Sequence, residues 1–283
     1  MRQDIIDLYD SFTHGTMGRR AFLKRLAFLA GGTAAAATLL PLLQNNYAAA
    51  AVIPEDDPRL KTGSVTLKLS TGPLMAYVAD RADSPAEKRP TVLVIHENRG
   101  LNPHIKDVTR RVALAGFHAV APDMLSPMGG TPADEDEARK MIYQLEDPHT
   151  VASLVAAVDH FASSGKVGAM GFCWGGGMVN QLAAHAPDLS AGVAYYGRQV
   201  SAEAASHIKA AMMLHYAGLD KRIGEGIDAY KAALQAAGVD YQLFIYDGVQ
   251  HAFNNDTNAA RYNKAAADLA WGRSMTFLKD KLG

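Results

Sequence analysis

Short apolar segments alternate with helical segments along most of this chain, and that alternation restricts the fold more than any other feature of the sequence. Residues 91–95 read Thr-Val-Leu-Val-Ile, a β-branched run typical of a strand that is buried on both faces. Strands joined by helices pack as a mostly parallel sheet covered on both sides. The sequence therefore predicts one α/β domain over residues 60–283, with further strands at 119–121, 167–170, 191–195, 211–215 and 241–246.

The same patterns predict a hairpin before this sheet and the helices that cover it. Residues 65–69 and 74–78 lie on either side of a Ser-Thr-Gly-Pro turn, which is typical of two antiparallel strands. The expected helices span about residues 103–115, 132–145, 148–163, 174–185, 223–237 and 259–281.

The composition is that of a folded globular protein. The chain has 283 residues, of which 48% are hydrophobic and 20% charged, and this excludes a disordered, collagen-like or polytopic membrane protein. A formal net charge of -1 provides no basic field for binding nucleic acid. The single cysteine, Cys173, excludes an intramolecular disulfide and a multi-cysteine metal site. We expect neither a cofactor nor a metal ion.

The first 51 residues differ from the rest and have the three-part arrangement of an export signal. Arg19 and Arg20 begin a twin-arginine pattern, a charge-free stretch follows from residue 26, and alanines end it at residue 51. This arrangement predicts a twin-arginine-type signal outside the fold, contact with the export machinery, and a periplasmic or secreted protein. Gly31, Gly32 and Pro41 dilute the apolar stretch, which favours a cleaved signal and no permanent membrane span over a retained anchor or an amphipathic helix.

Residues 171–175 read Gly-Phe-Cys-Trp-Gly and lie directly between a predicted strand and a predicted helix. Glycines two before and two after a central nucleophile form a nucleophile elbow, a tight strand-to-helix turn that exposes the central side chain above the sheet. The following helix N-terminus favours a thiolate. The sequence therefore predicts that Cys173 is a nucleophile, the alternative being a buried structural cysteine beside packing glycines.

A nucleophile needs a base, and the base needs a third group that orients it. In this fold the acid and then the histidine follow the elbow on loops after later strands. Asp220 follows the strand at 211–215 and His251 follows the strand at 241–246. We predict that they complete a Cys-His-Asp triad; a helix-capping acid and a surface histidine are the alternatives.

The loop after the strand at 91–95 reads His-Glu-Asn-Arg-Gly. This first strand-to-helix loop supplies part of the oxyanion hole in such folds, so the backbone N–H groups of Asn98 and Trp174 are the expected donors. Glu97 is a candidate for controlling the ionisation of Cys173, and the alternative is a loop acid paired with Arg99.

These segments together resemble the dienelactone hydrolase family, the carboxymethylenebutenolidases, over essentially all of residues 60–283. The resemblance rests on the cysteine elbow, Asp220, the His-Ala-Phe sequence at 251–253 and the glutamate loop at 96–100. It implies an α/β-hydrolase fold, attack by Cys173 on an ester or lactone carbonyl, and a Glu97 that helps to deprotonate the cysteine when substrate arrives.

The resemblance also implies weaker candidates for substrate binding, and it has departures. Tyr196 matches a pocket residue of the family, and Arg99 and Phe253 are further candidates from the same loops. Family members that act on dienelactone hold its carboxylate with arginines, but Asn255 occupies one such position and residues 122–127 lack the other. A neutral ester is therefore as well supported as an anionic lactone.

The sequence thus predicts a hydrolase that cleaves a small ester or lactone through a thioacyl intermediate, as a monomer or small homo-oligomer. A broad carboxylesterase is the alternative within the same class. A redox-sensing thiol protein is a different reading, weakened because the chain has no resolving cysteine. A non-catalytic binding module on the same scaffold is disfavoured because all three triad candidates stand at coherent positions.

Overall fold

The computed structural model describes residues 1–15, 17–47, 52–84 and 89–283. Its centre is an eight-stranded sheet in the order β1-β2-β4-β3-β5-β6-β7-β8. The strands are β1 (Leu60–Leu69), β2 (Gly72–Arg81), β3 (Thr91–Ile95), β4 (His118–Pro122), β5 (Val167–Phe172), β6 (Leu189–Tyr195), β7 (Ala211–Ala217) and β8 (Tyr241–Tyr246). Strand β2 pairs antiparallel with β1 and β4, and every other neighbouring pair is parallel.

Helices lie on both faces of this sheet. The helices of the domain are α4 (Pro103–Leu114), α5 (Glu135–Ile142), α6 (Asp147–Ala162), α7 (Trp174–His185), α8 (Ala202–Ala205), α9 (Lys221–Gly224), α10 (Ile227–Ala236) and α11 (Lys264–Leu282). Apolar residues of α6, α7 and α10 share one buried cluster with the sheet, and those of α4 and α11 share another. The predicted α/β architecture is therefore confirmed, with β3 and β5 wholly buried at its centre.

Local capping explains where the helix boundaries differ from the predicted ones. The helix expected from 259 begins at Lys264, because the Asn263 side chain accepts a hydrogen bond from Ala266 N and caps it there. The helix expected at 223–237 is divided into α9 and α10, the second of which starts after Gly226. The short helix α8 was not expected.

In the described part of the N-terminal segment, three helices pack against the domain: α1 (Gln3–His14), α2 (Arg19–Ala30) and α3 (Thr33–Leu43). Their apolar faces form a buried cluster in which the Phe12 and Phe22 rings stack with centroids 4.5 Å apart. We expected residues 1–51 to stand outside the fold. The described part of that segment instead belongs to it, because α1 carries an apolar face that is buried on packing. The role of the segment as an export signal stays a prediction.

Polar contacts hold α1 in its place. Arg261 Nη1 forms an ion pair with Asp10 Oδ1 at 2.9 Å, and the Arg139 guanidinium donates to the Phe12 carbonyl. Asn98 Nδ2 donates to the carbonyl oxygen of Thr13 at 2.9 Å. The end of α1 is therefore fixed directly over the loop that follows β3.

The length and hydropathy of the described helices can be compared with what a membrane span requires. None of them is, by itself, long and apolar enough to cross a bilayer. Helices α2 and α3 meet the length and composition requirement only as a pair, and that pair is bent by 114°.

Candidate active site

Cys173 lies at a strained turn between β5 and α7. Its backbone has φ 55° and ψ -114°, a conformation that non-glycine residues seldom adopt and that persists only where the surroundings enforce it. The flanking glycines are required by close backbone approach. A Cβ on Gly171 would lie 2.2 Å from the Gly175 carbonyl oxygen, and one on Gly175 would lie 2.3 Å from that of Ile95. The predicted elbow geometry is therefore present.

Asp220 and His251 are joined as the order of the strands suggested. Asp220 follows β7 and caps α9 by accepting a hydrogen bond from Ile223 N at 3.2 Å. Its other carboxylate oxygen lies 2.5 Å from His251 Nδ1. Because Nδ1 is engaged in this way, Nε2 of the same ring is left to act on a reacting group.

The His251 ring also lies close to the cysteine. A ring nitrogen of His251 and the Cys173 sulfur are within 4.8 Å of each other, and the imidazole is buried. Burial lowers the pKa of His251, but the adjoining Cys173 sulfur and Asp220 carboxylate outweigh this and raise it to about 10. Burial raises the pKa of Asp220, and the facing His251 reverses this so that the pKa is lowered overall. Together these groups favour a proton held on the imidazole.

A second histidine, His14 at the end of α1, contacts the same sulfur. Its Nε2 lies 3.3 Å from Cys173 Sγ, and its ring meets that of His251 edge-on with centroids 4.7 Å apart. Burial, and to a smaller extent the positive charge of His251, lowers the pKa of His14 well below its ordinary value. His14 lies within residues 1–51, and nothing in the spacing of residues indicates where α1 docks.

Glu97 and its neighbours occupy separate environments. Asn255 Nδ2 donates to Glu97 Oε2 at 2.8 Å, so the partner of Glu97 is not Arg99. Arg99 instead bonds the Tyr9 hydroxyl at 2.9 Å and lies 3.1 Å from a carboxylate oxygen of Glu135. It therefore anchors the N-terminal helices and lies outside the cavity beside the cysteine.

The remaining predicted residues divide between the cavity and the core. Trp174 begins α7 and stacks on His96 with ring centroids 5.2 Å apart. Tyr196 lines the cavity and lies 4.9 Å from the His251 ring. Phe253 is fully buried against Tyr196 and does not line the cavity. Phe253, which was predicted to bind substrate, therefore packs in the core of this structure.

The cavity beside Cys173 has a volume of about 300 Å³, at the lower limit of the range common for small-molecule sites. Apolar walls are supplied by Ile142, Leu145 and Met178, whereas Arg198 and Arg222 add cationic groups. Neither arginine was among the residues predicted from the sequence, because neither lies in a recognisable motif. The cavity therefore combines a nucleophile with two candidate partners for an anionic group.

Comparisons with known proteins identify the family of this chain. Residues 74–282 match the dienelactone hydrolase family, and residues 1–32 match the YqhI-like family. A protein of Methylorubrum extorquens named "Putative carboxymethylenebutenolidase" is 33% identical over 76% of this chain and 79% of its own length. A protein of the same name from Escherichia coli K12 is 29% identical over 81% of this chain and 90% of its own length.

Solved structures share the fold. The crystal structure named "Putative Dienelactone Hydrolase" from Klebsiella pneumoniae superposes with a TM-score of 0.70 and 27% identity, covering 77% of this chain and 97% of that one. The dienelactone hydrolase from Anabaena variabilis superposes with a TM-score of 0.62 and 21% identity, covering 80% and 100%. At that lower identity the likeness shows the fold alone.

Proposed function

Because the chain belongs to the dienelactone hydrolase family and is a carboxymethylenebutenolidase-like hydrolase, we propose that it cleaves a small ester or lactone through a Cys173-His251-Asp220 triad. The observation that carries the proposal is the buried His251 ring, tied to Asp220 at 2.5 Å, beside the single cysteine on its strained elbow. This arrangement supports the proposal because it brings together the nucleophile, base and orienting acid that covalent catalysis uses.

The proposed reaction proceeds in two steps. The Cys173 thiolate attacks the carbonyl carbon to form a C–S bond, and the carbonyl electron pair moves to oxygen. The electrons return to re-form the carbonyl and break the C–O bond, and the departing alkoxide takes a proton from His251. Water then attacks the thioester while His251 accepts its proton, and the thiolate leaves as the carboxylic acid forms. A lactone yields a hydroxy acid by the same steps.

Backbone groups near the elbow are the proposed oxyanion donors. The first N–H groups of a helix have no partner within that helix, so the N–H of Trp174 at the start of α7 is free to face an oxyanion. The N–H of Asn98 is proposed as the second donor. Glu97 is held by a hydrogen bond from Asn255. We further propose that Glu97 helps to deprotonate Cys173 when an arriving substrate displaces Glu97 from this contact.

The cavity walls favour a substrate with a carboxylate. Arg198 and Arg222 line the cavity with Cys173, and a guanidinium binds a carboxylate through two parallel hydrogen bonds. We propose that they replace the family arginines that this sequence lacks. An anionic lactone or ester is therefore expected to be hydrolysed with a lower KM than its neutral analogue, and Arg222→Gln should remove that preference.

Substitution of the triad tests the reaction. With a short-chain aryl ester, Cys173→Ala and His251→Ala should each lower kcat/KM by more than about 10⁴-fold, and Asp220→Asn by up to about 10⁴-fold through loss of ring orientation. His149, exposed on α6, provides a control as His149→Ala. If Cys173→Ala retains turnover while its melting temperature stays near that of the wild type, covalent catalysis by this sulfur is wrong.

We also propose that residues 1–51 direct export by the twin-arginine route, on the strength of Arg19, Arg20 and the charge-free stretch from residue 26. Replacing both arginines by lysine should leave full-length protein in the cytoplasm. Normal export of that variant, measured by fractionation and blotting, would point to another route.

A further inference from the structure

Three metal-binding side chains from distant parts of the chain meet at one point. His14 comes from α1, Cys173 from the elbow and His251 from the loop after β8, and one ligand atom from each lies within 4.8 Å of the others. We propose that they bind a thiophilic divalent cation of the zinc class, and that the bound ion blocks Cys173 as a nucleophile. This site goes beyond the hydrolytic function proposed above.

Both histidines are oriented as metal ligands are. A ligating histidine almost always gives its other ring N–H to a carbonyl or carboxylate, which fixes the ring and its tautomer. His251 Nδ1 is paired with Asp220 Oδ2 at 2.5 Å, and His14 Nδ1 lies 3.1 Å from the Asp10 carbonyl oxygen. Nε2 of each ring is thus the nitrogen on the side of the sulfur, and it offers a lone pair to a metal ion once it is unprotonated.

The distances fit a tetrahedral ion with one open position. Bonds of about 2.3 Å to sulfur and 2.0–2.1 Å to nitrogen place tetrahedral ligand atoms about 3.5 Å apart. His14 Nε2 and Cys173 Sγ already lie 3.3 Å apart. The separations involving His251 are within 4.8 Å, so a closure of at most about 1.3 Å reaches the tetrahedral value.

The burial of His251 also favours a ligand at this point. His251 is 1% exposed, and its buried Nε2 has no hydrogen-bond partner among the described residues. A buried nitrogen without a partner costs free energy that a coordinated cation would remove. The thiolate and the Asp220 carboxylate together balance the charge of a divalent ion. The positive charges of Arg222 and Arg261 help to lower the pKa of His14.

Metal binding has two chemical consequences. Coordination needs a thiolate and neutral imidazoles, so a proton on Cys173 or on His251 Nε2 is released to solvent as the S–metal bond forms. The sulfur lone pair is then committed to the ion and cannot attack a carbonyl. Because His14 belongs to α1, the ion also ties that helix to the elbow.

Cobalt provides a direct probe, since a Co²⁺–thiolate bond has a charge-transfer absorption that a site of nitrogen and oxygen ligands lacks. The full-length protein would be titrated with Co²⁺, and Zn²⁺ affinity would be measured by competition with a chromophoric chelator. Because the chain has one cysteine, alkylation by iodoacetamide reports Cys173 alone and should be slowed by Zn²⁺.

Three variants separate this site from adventitious binding. His14→Ala should lower Zn²⁺ affinity by at least about 100-fold, and Asp220→Asn by about 10–100-fold, as expected for an outer partner of a ligand. His149→Ala, far from the cluster in an exposed position, should leave the affinity unchanged. Affinity that His14→Ala leaves within about threefold of the wild type would overturn the proposal.

The wild-type protein alone also decides the question, independently of how any variant folds. Absence of the thiolate absorption at saturating Co²⁺, or unchanged alkylation in Zn²⁺, would contradict a Cys173 ligand. Ester hydrolysis would be measured separately with a chelator present. Hydrolysis without metal binding overturns the metal site alone, and metal binding without hydrolysis overturns the proposed function alone.

Discussion

Gly175→Ala tests the elbow that presents Cys173. An alanine Cβ at this position would lie 2.3 Å from the Ile95 carbonyl oxygen and 2.4 Å from that of His96. Ordinary contact begins near 3.4 Å, so β3 and α7 would have to separate by about 1 Å. Such overpacking costs about 1–3 kcal/mol. A central cost of about 2 kcal/mol lowers the melting temperature of a domain of this size by about 4–8 °C.

The same displacement moves the loop that follows β3, so the rate should fall together with the stability. Gly272→Ala is the matched control, because nothing lies within 4 Å of a Cβ there and the position is inside α11. That change should stabilise the protein by about 0.5–1 kcal/mol. Thermal unfolding of the two variants measures the difference. If Gly175→Ala melts with or above the wild type, the close approach of α7 to β3 is wrong.

Two further predictions concern the N-terminal helices and the buried His215. Phe12 is stacked on Phe22 and lies under the Arg139 guanidinium. Phe12→Ala should therefore lower the free energy of unfolding by about 3–5 kcal/mol. Amide hydrogen exchange should then become faster in α1, α2 and α3. An equal increase across the sheet would contradict the view that these helices dock on the domain as a separate unit. Burial lowers the pKa of His215 from 6.5 to about 3, so the unfolded chain takes up its proton first as the pH falls. Stability should therefore be lost from about pH 6.5 downward by up to about 1.4 kcal/mol per pH unit, and His215→Gln, compared by urea unfolding at several pH values, should remove that part of the slope.

The elbow and its partners could be predicted because their positions depend on local sequence and on strand order. Gly171 and Gly175 mark a turn whose close backbone contacts admit no side chain, and this constraint is visible in five consecutive residues. Asp220 and His251 follow strands whose carboxyl ends share one edge of a parallel sheet. Their meeting is therefore a consequence of topology.

His14 and the cavity arginines could not be predicted in the same way. The position of His14 depends on contacts between α1 and residues more than eighty positions away, such as Asn98 and Arg261. The charge-free stretch from residue 26 indicated a signal and gave no sign that α1 packs on the domain. Arg198 and Arg222 have no motif around them, and only the folded chain brings both to the cavity.

The most direct measurement is the mass of the protein during turnover. Full-length Asp220→Asn protein, in which thioester hydrolysis should be slow, would be mixed with an activated ester, quenched in acid and mapped by peptide mass spectrometry. An increase equal to the acyl group, confined to the peptide that contains Cys173 and removed by hydroxylamine, is the expected result. Product formation with no acylated peptide, or with the acyl group on another residue, would contradict attack by this sulfur.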